Sequence, residues 1–163
     1  MKRRKKLLTK SLWRRKKNLT SVVKVAGKKS KKPKKKTRKP SVVKRELDKV
    51  FSIYIRQSAA DPQGYASCVT CGKSLPWQQQ QSGHFVPRSH LSTRWDPRNV
   101  HVQCVGCNIF GGGRYPEYAL FLTRKYGPEI LEELTKAKHT VTKISVQEME
   151  QSILFYKALT GEL

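Results

Sequence analysis

Two close pairs of cysteines, Cys68-x2-Cys71 and Cys104-x2-Cys107, lie 32 residues apart. That pattern reads as a tetrahedral zinc–thiolate site, since each short loop lets two sulfurs converge on one ion. Four thiolates fill the coordination sphere, so a zinc held there is structural and does not activate water. The intervening segment is longer than the loop of a simple zinc ribbon and carries His84, Arg88, His90, Arg94, Asp96, Arg98, Asn99 and His101. Asn108 stands directly behind the last cysteine. These residue types suit phosphodiester hydrolysis. A neutral imidazole with a pKa of about 6.5 takes a proton from water, and a divalent cation neutralises charge on the phosphoryl oxygens. Magnesium prefers oxygen ligands and keeps several waters, so an amide oxygen plus a substrate phosphate suits it. The plain alternative makes Asn108 a turn residue in left-handed geometry. Arg88, Arg94, Arg98 and Arg114 crowd the same region, either gripping backbone phosphates or forming solvated surface.

The elements that must position these groups follow from the pattern along the chain. Of 35 Lys and Arg, 22 lie in residues 1–45, before the first acid, Glu46; the remainder of the chain is close to neutral. A block of like charge cannot fold on itself, so residues 1–40, with "KKSKKPKKKTRKPS", are expected to be a disordered nucleic-acid-binding tail. A solubilising tail and a mitochondrial presequence are the alternatives. Residues 41–163 are expected to form one zinc-containing domain. Val43, Leu47, Val50, Phe51 and Tyr54 recur at helical spacing to about Ala59, with Ser41 as a plausible cap. Residues 65–112, rich in Cys, Gly, Pro and Gln, should hold short strands and loops. Helices then return in "YPEYALFLTRKYG", "PEILEELTKAK" and "SVQEMEQSILFYKALTG", the last opened by a Ser145–Glu148 capping box and closed by Gly161. No apolar run approaches the roughly 18 residues of a membrane span, and "LL" after "MKRRKK" is too short for a secretory core. Paired cysteines without an export signal favour metal over disulfides.

"GHFVP" followed by "RNVHVQCVGCN" resembles the HNH (His-Me finger) nucleases. With "LDKVFSIYIRQS", "GYASCVTCGKS", "RWDPRNVHVQCVGCN" and "YALFLTRKYG" added, the chain from about Leu47 onward resembles the lambdoid phage NinG (Rap) recombination endonucleases. The resemblance implies an α+β fold: a zinc-stapled ββα-metal core flanked by helices. It implies His84 as general base at the end of the first strand and Asn99 as the residue that ties down the loop aiming it. It makes Asn108 a ligand of the catalytic cation, Mg2+ or Mn2+, alongside the structural Zn2+. Many HNH enzymes have Asp before the base, but this chain has Gly83. The missing ligand must come from elsewhere, with Asp96, His101 and His90 as candidates, or be replaced by water.

The implied function is a metal-dependent endonuclease of phage recombination in the cytoplasm of the bacterial host. Its partner would be branched DNA such as Holliday junctions and D-loops, not a membrane or a small-molecule substrate. Nothing resembles a base-reading helix, so recognition is expected to follow DNA structure over sequence. Symmetric junction cleavage would require a homodimer, for which the C-terminal helix is a candidate interface. The rival class is a non-catalytic zinc-ribbon nucleic-acid-binding protein, which explains the cysteines and tail but leaves His84, Asn99 and Asn108 without a reason.

Overall fold

The stripe at Val43, Leu47, Val50, Phe51 and Ile55 is the buried face of helix α1, Pro40–Ser58. The computed structural model describes residues 38–161, so nearly all of the basic tail, and the expectation of disorder placed on it, lies outside the described residues. Helix α1 begins at Pro40, one residue before the expected boundary at residue 41. Pro40 occupies the first helical turn, where its fixed φ and missing N–H cost nothing. Ser41 is therefore inside the helix, and Lys39 is the N-cap, without a side-chain bond. Arg38 already pairs with Glu46, and Glu46 also accepts from Lys157 Nζ at 3.1 Å.

Two antiparallel hairpins follow. Strands β1 (Tyr65–Ser67) and β2 (Ser74–Pro76) form the first. Strands β3 (Gln81–His84) and β4 (Val100–Gln103) form the second, with Gly83 opposite His101 and His84 opposite Val100. A short π-helical turn, Gly106–Phe110, leaves β4 and leads through three glycines to α2, Tyr115–Tyr126. Helix α3 spans Ile130–Lys138, starting two residues beyond Pro128, and α4 spans Val146–Thr160. Gly127 at φ 108° and Gly161 at φ 71° stop α2 and α4, as glycine can and L-residues rarely do. The Ser145–Glu148 capping box is present.

Every residue of β4 is buried, so the strand is covered on both faces. Val100 and Val102 join a core with the stripe of α1 and with Met149, Ile153 and Tyr156 of α4. Phe51 and Tyr156 meet edge to face with ring centroids 5.1 Å apart. On the other side, Tyr118 and Leu122 of α2 pack with Val86, Ile130 and Leu134. The result is a mixed helix and small-sheet (α+β) fold. No helix among the described residues is long and apolar enough to cross a membrane.

Candidate active site and metal centre

Each cysteine pair sits at the end of a strand. Cys68 follows β1, and the turn back to β2 is closed by Gly72 N–H donating to Cys68 O and Cys68 N–H to Lys73 O, both at 2.9 Å. Gly72 adopts φ 77°, the left-handed conformation this reversal requires. Cys104 follows β4, and its carbonyl accepts from the N–H groups of Cys107 (3.1 Å) and Asn108 (2.9 Å). The knuckles are joined by Val69 N–H to Val102 O at 2.9 Å. The four sulfurs lie within 4.8 Å of one another, with Cys71 and Cys104 Sγ 3.7 Å apart. A zinc–sulfur bond of about 2.3 Å in a tetrahedron requires sulfurs about 3.8 Å apart, so four cysteines close together can hold a metal such as zinc. Burial and the neighbouring thiols push the Cys107 thiol up to about 12. For Cys68 burial acts upward but is outweighed by hydrogen bonds, chiefly from Thr70, which leave it at about 6. Cys107, and Cys71 with its pKa also raised, thus retain their protons until a cation takes their place, while Cys68 is already a thiolate at neutral pH.

The other feature is a cleft of about 510 Å³ between α1, β3 and the π-helical turn, lined by Asp48, Ser52, Gln81, His84, Arg88 and Asn108 among others. His84 and Asn108 are thus brought together from positions 24 apart in sequence. Half-buried His84 sets Nε2 3.0 Å from Arg94 O. A carbonyl only accepts, so Nε2 carries the proton and Nδ1 keeps its lone pair. Burial, only partly offset by that carbonyl, lowers the His84 pKa and keeps the ring neutral at pH 7. Asn108 donates Nδ2–H to Gln81 Oε1 at 2.6 Å, which reserves Oδ1 as an acceptor. It is not in left-handed geometry: among the described non-glycine residues only Arg114 has positive φ.

Asn99 does not reach the cleft. Its fully buried amide donates to Val86 O (2.9 Å) and Thr93 O (3.0 Å) and accepts from Val86 N–H (2.7 Å). The loop that supplies Arg94 O is thereby pinned at both ends.

Two residues expected as additional ligands, Asp96 and His101, lie outside the cleft lining and bond to other partners. Asp96 is committed to Arg98, through Arg98 Nη2 at 2.8 Å and the Arg98 backbone N–H at 2.8 Å, and does not line the cleft. His101, opposite Gly83 in register, points to the α2 side. It is packed edge to face on Phe121, its Nδ1 lies 3.3 Å from Tyr118 Oη, and its Nε2 lies 2.9 Å from Tyr126 Oη. Tyr118 O–H donates to Gly83 O at 2.8 Å, so His101 Nδ1–H donates to Tyr118 and Nε2 accepts from Tyr126. Both ring nitrogens are spent, and burial drives its pKa well below the usual histidine value. His90 is likewise absent from the cleft lining. Gly83 is glycine for a packing reason: a Cβ there would lie 2.0 Å from Gln103 Oε1. Gln103 crosses that position to donate Nε2–H to Gly113 O at 2.8 Å, bracing the second knuckle.

Of the four arginines, exposed Arg88 lines the cleft. Arg94 forms a two-pronged pair with Asp48 at 2.8 and 2.6 Å, Arg98 bridges Asp96 and Glu133, and Arg114 meets Glu117 at 3.3 Å. Asp48 is the charged cleft residue that the sequence reading missed, along with the polar Ser52, Gln81 and Ser82. Asp48 also accepts from Trp95 Nε1 at 2.9 Å, so it holds the peptide whose carbonyl orients His84. The one available signal was an acid beside Leu47 on an otherwise apolar helical stripe.

Fold and site together define a small α+β protein with a four-cysteine cluster that can hold a metal, and with a polar cleft. The chain belongs to the phage family described as "Bacteriophage Lambda NinG protein", whose profile matches residues 1–163. It is 28% identical over 105 residues to Protein ninG of Escherichia phage 933W, covering 64% of this chain and 49% of that protein. Against Protein ninG of Escherichia phage lambda it is 26% identical over 105 residues, covering 64% and 48%. Against Protein ninG of Salmonella phage P22 it is 28% identical over 91 residues, covering 55% and 42%. The chain spans about half the length of these relatives. No solved structure matches it.

Proposed function

We propose that this chain is a metal-dependent, HNH-type DNA endonuclease acting on branched DNA, with His84 as general base, Asn108 as a ligand of the catalytic cation and the four cysteines as a structural zinc site. The observation that carries the reading is the shared cleft, where a neutral imidazole with Nδ1 unprotonated faces the same space as an amide whose nitrogen is already occupied. In the hydrolysis, His84 Nδ1 takes a proton from water as its oxygen attacks phosphorus in line. The bond to the leaving oxygen breaks, and that oxygen is protonated from solvent. Asn108 Oδ1 would hold a Mg2+ or Mn2+ ion, which when bound would supply positive charge against the negative charge that develops on the phosphoryl oxygens. The cleft's oxygen donors suit such a hard cation better than zinc.

Arg88 at the rim serves as a phosphate contact, while Arg94 and Asp48 act on the base through the loop backbone. With Arg98 and Arg114 engaged with acids, they contribute less to DNA affinity than the sequence suggested. The net charge of +24, concentrated in the tail, supplies sequence-independent attraction to phosphates. The site of action is the host cytoplasm, where phage DNA recombines.

The test is incubation of the zinc-loaded protein with four-way junction, fork and linear duplex DNA, with and without added magnesium. Magnesium-dependent nicking of junction over linear duplex is expected. Binding without nicking in either Mg2+ or Mn2+ would favour the zinc-ribbon binder instead.

A further inference from the structure

The π-helical turn behind the second cysteine pair does more than carry Asn108. Ile109 lines the cleft, and Phe110, the next residue, is 85% exposed, more than any other aromatic side chain among the described residues. A phenyl ring left in water forgoes the free energy of burial, and with Ile109 exposed beside it at the cleft it forms an adjacent apolar pair of the kind that marks an interaction site, unlike an isolated surface residue. The ring does not hang on a loose loop. Gly111 N–H donates to Gly106 O at 2.8 Å, Gly113 N–H to Cys107 O at 2.9 Å and Arg114 N–H to Gly111 O at 3.1 Å. Gly112 and Gly113, at φ 59° and 90°, reverse the chain directly behind it and bring no side chain to cover it. Phe110 is therefore the more exposed of two adjacent apolar side chains, with Ile109 at 58%, on a braced tip three residues from Cys107 and two from Asn108.

The chain's charge of +24 selects a polyanion as the partner. Among polyanions, nucleic acid offers flat apolar faces for an aromatic ring, and such stacking is indifferent to sequence. An intact duplex hides those faces, whereas a branch point, end or gap exposes them or yields them cheaply. We propose that Phe110 is a stacking wedge: its ring inserts against a nucleobase where duplex stacking is interrupted and so sets the neighbouring phosphodiester in the cleft between His84 and Asn108. The wedge rests on the reading of that cleft as a DNA site, and it makes the break in stacking the feature recognised.

The experiment uses the full zinc-loaded chain without magnesium, so that no cleavage occurs. The probes are a four-way junction with 2-aminopurine at the branch and a linear duplex of matched sequence. Wild type is expected to raise 2-aminopurine fluorescence on the junction. Phe110→Ala is expected to abolish that rise and weaken junction binding by about 5- to 150-fold, the range for losing one base–aromatic stack. Linear-duplex affinity should stay within about twofold, because phosphate contacts carry it. Phe110→Trp should restore the fluorescence rise and show its own emission quenched. Unchanged fluorescence and junction affinity in Phe110→Ala would overturn the wedge. So would a change confined to self-association in sedimentation, which would make the ring a contact between copies. The nuclease reading fails separately: wild type that unstacks the branch but does not nick in magnesium keeps the wedge and removes the nuclease. Wild type that nicks while Phe110→Ala still unstacks does the reverse.

Discussion

Removing the Asn99 amide should be among the most damaging single changes in the domain, although Asn99 lies outside the cleft. Asn99→Ala leaves two buried backbone groups, Val86 N–H and Val86 O, without the partners they hold at 2.7 and 2.9 Å, and takes from Thr93 O its 3.0 Å donor, leaving it the Asp96 N–H at 3.2 Å. Each buried group left unsatisfied costs about 1–3 kcal/mol. Water entering the vacated space recovers part of this, so a loss of about 2–4 kcal/mol is expected. That is a large fraction of the roughly 5–15 kcal/mol that holds a domain together. Urea unfolding of the zinc-loaded protein measures it directly. The effect should also reach His84: once the loop loosens, Arg94 O no longer fixes Nε2 and burial no longer depresses the ring, so its pKa moves up toward about 6.5. An NMR pH titration of His84 reads that shift. Asn99→Asp should be comparably unstable at neutral pH, because its second oxygen faces two carbonyls, and should recover partly in acid as it gains an O–H donor. A loss below about 1 kcal/mol with an unmoved His84 titration would refute the reasoning.

Gly83→Ala should cost about 1–3 kcal/mol by forcing Gln103 off Gly113, and Gln103→Ala in the same chain should relieve the clash; additive losses in the double variant would count against it. Stripping the metal should unfold the knuckle region, and zinc uptake at pH 7.5 should release protons, because Cys107, at about 12, and Cys71, also raised, hold theirs in the free cluster. Calorimetry in buffers of different ionisation heat counts those protons, and a count of zero would contradict the crowded-thiol picture. Buried His101 has a folded pKa well below its unfolded value, so the unfolded chain binds the extra proton and stability falls as pH drops below about 6.5. His101→Gln should flatten that decline by up to about 1.4 kcal/mol per pH unit, and an unchanged slope would show that the ring is not held neutral.

The extent to which the sequence disclosed this site follows the range of the forces involved. The helices and the cysteine spacing are local patterns, and each is found where periodicity, capping or ligand geometry placed it, within a residue or two. Long-range commitments were hidden. His101 has ligand chemistry, but two tyrosines claim it, one of them from the far end of α2; Asp96 is claimed by Arg98 only two residues on, a local pairing that residue types alone left open. Gly83 read as a missing carboxylate, yet it answers to Gln103, twenty residues away. Asp48 entered the cleft from α1 because tertiary packing carries that helix past β3, a fact no window of sequence contains.

The most direct test of the central claim is the single-turnover rate of junction nicking in magnesium for wild type and His84→Ala, each verified for zinc content and junction affinity. A general base accounts for about two to four orders of magnitude, so His84→Ala should fall by that much with zinc and binding intact. Asn108→Ala, run beside it, should need more magnesium, and Asn108→Asp should be far milder. A His84→Ala protein that nicks at the wild-type rate, with Asn108→Ala following the wild-type magnesium curve, would contradict the account.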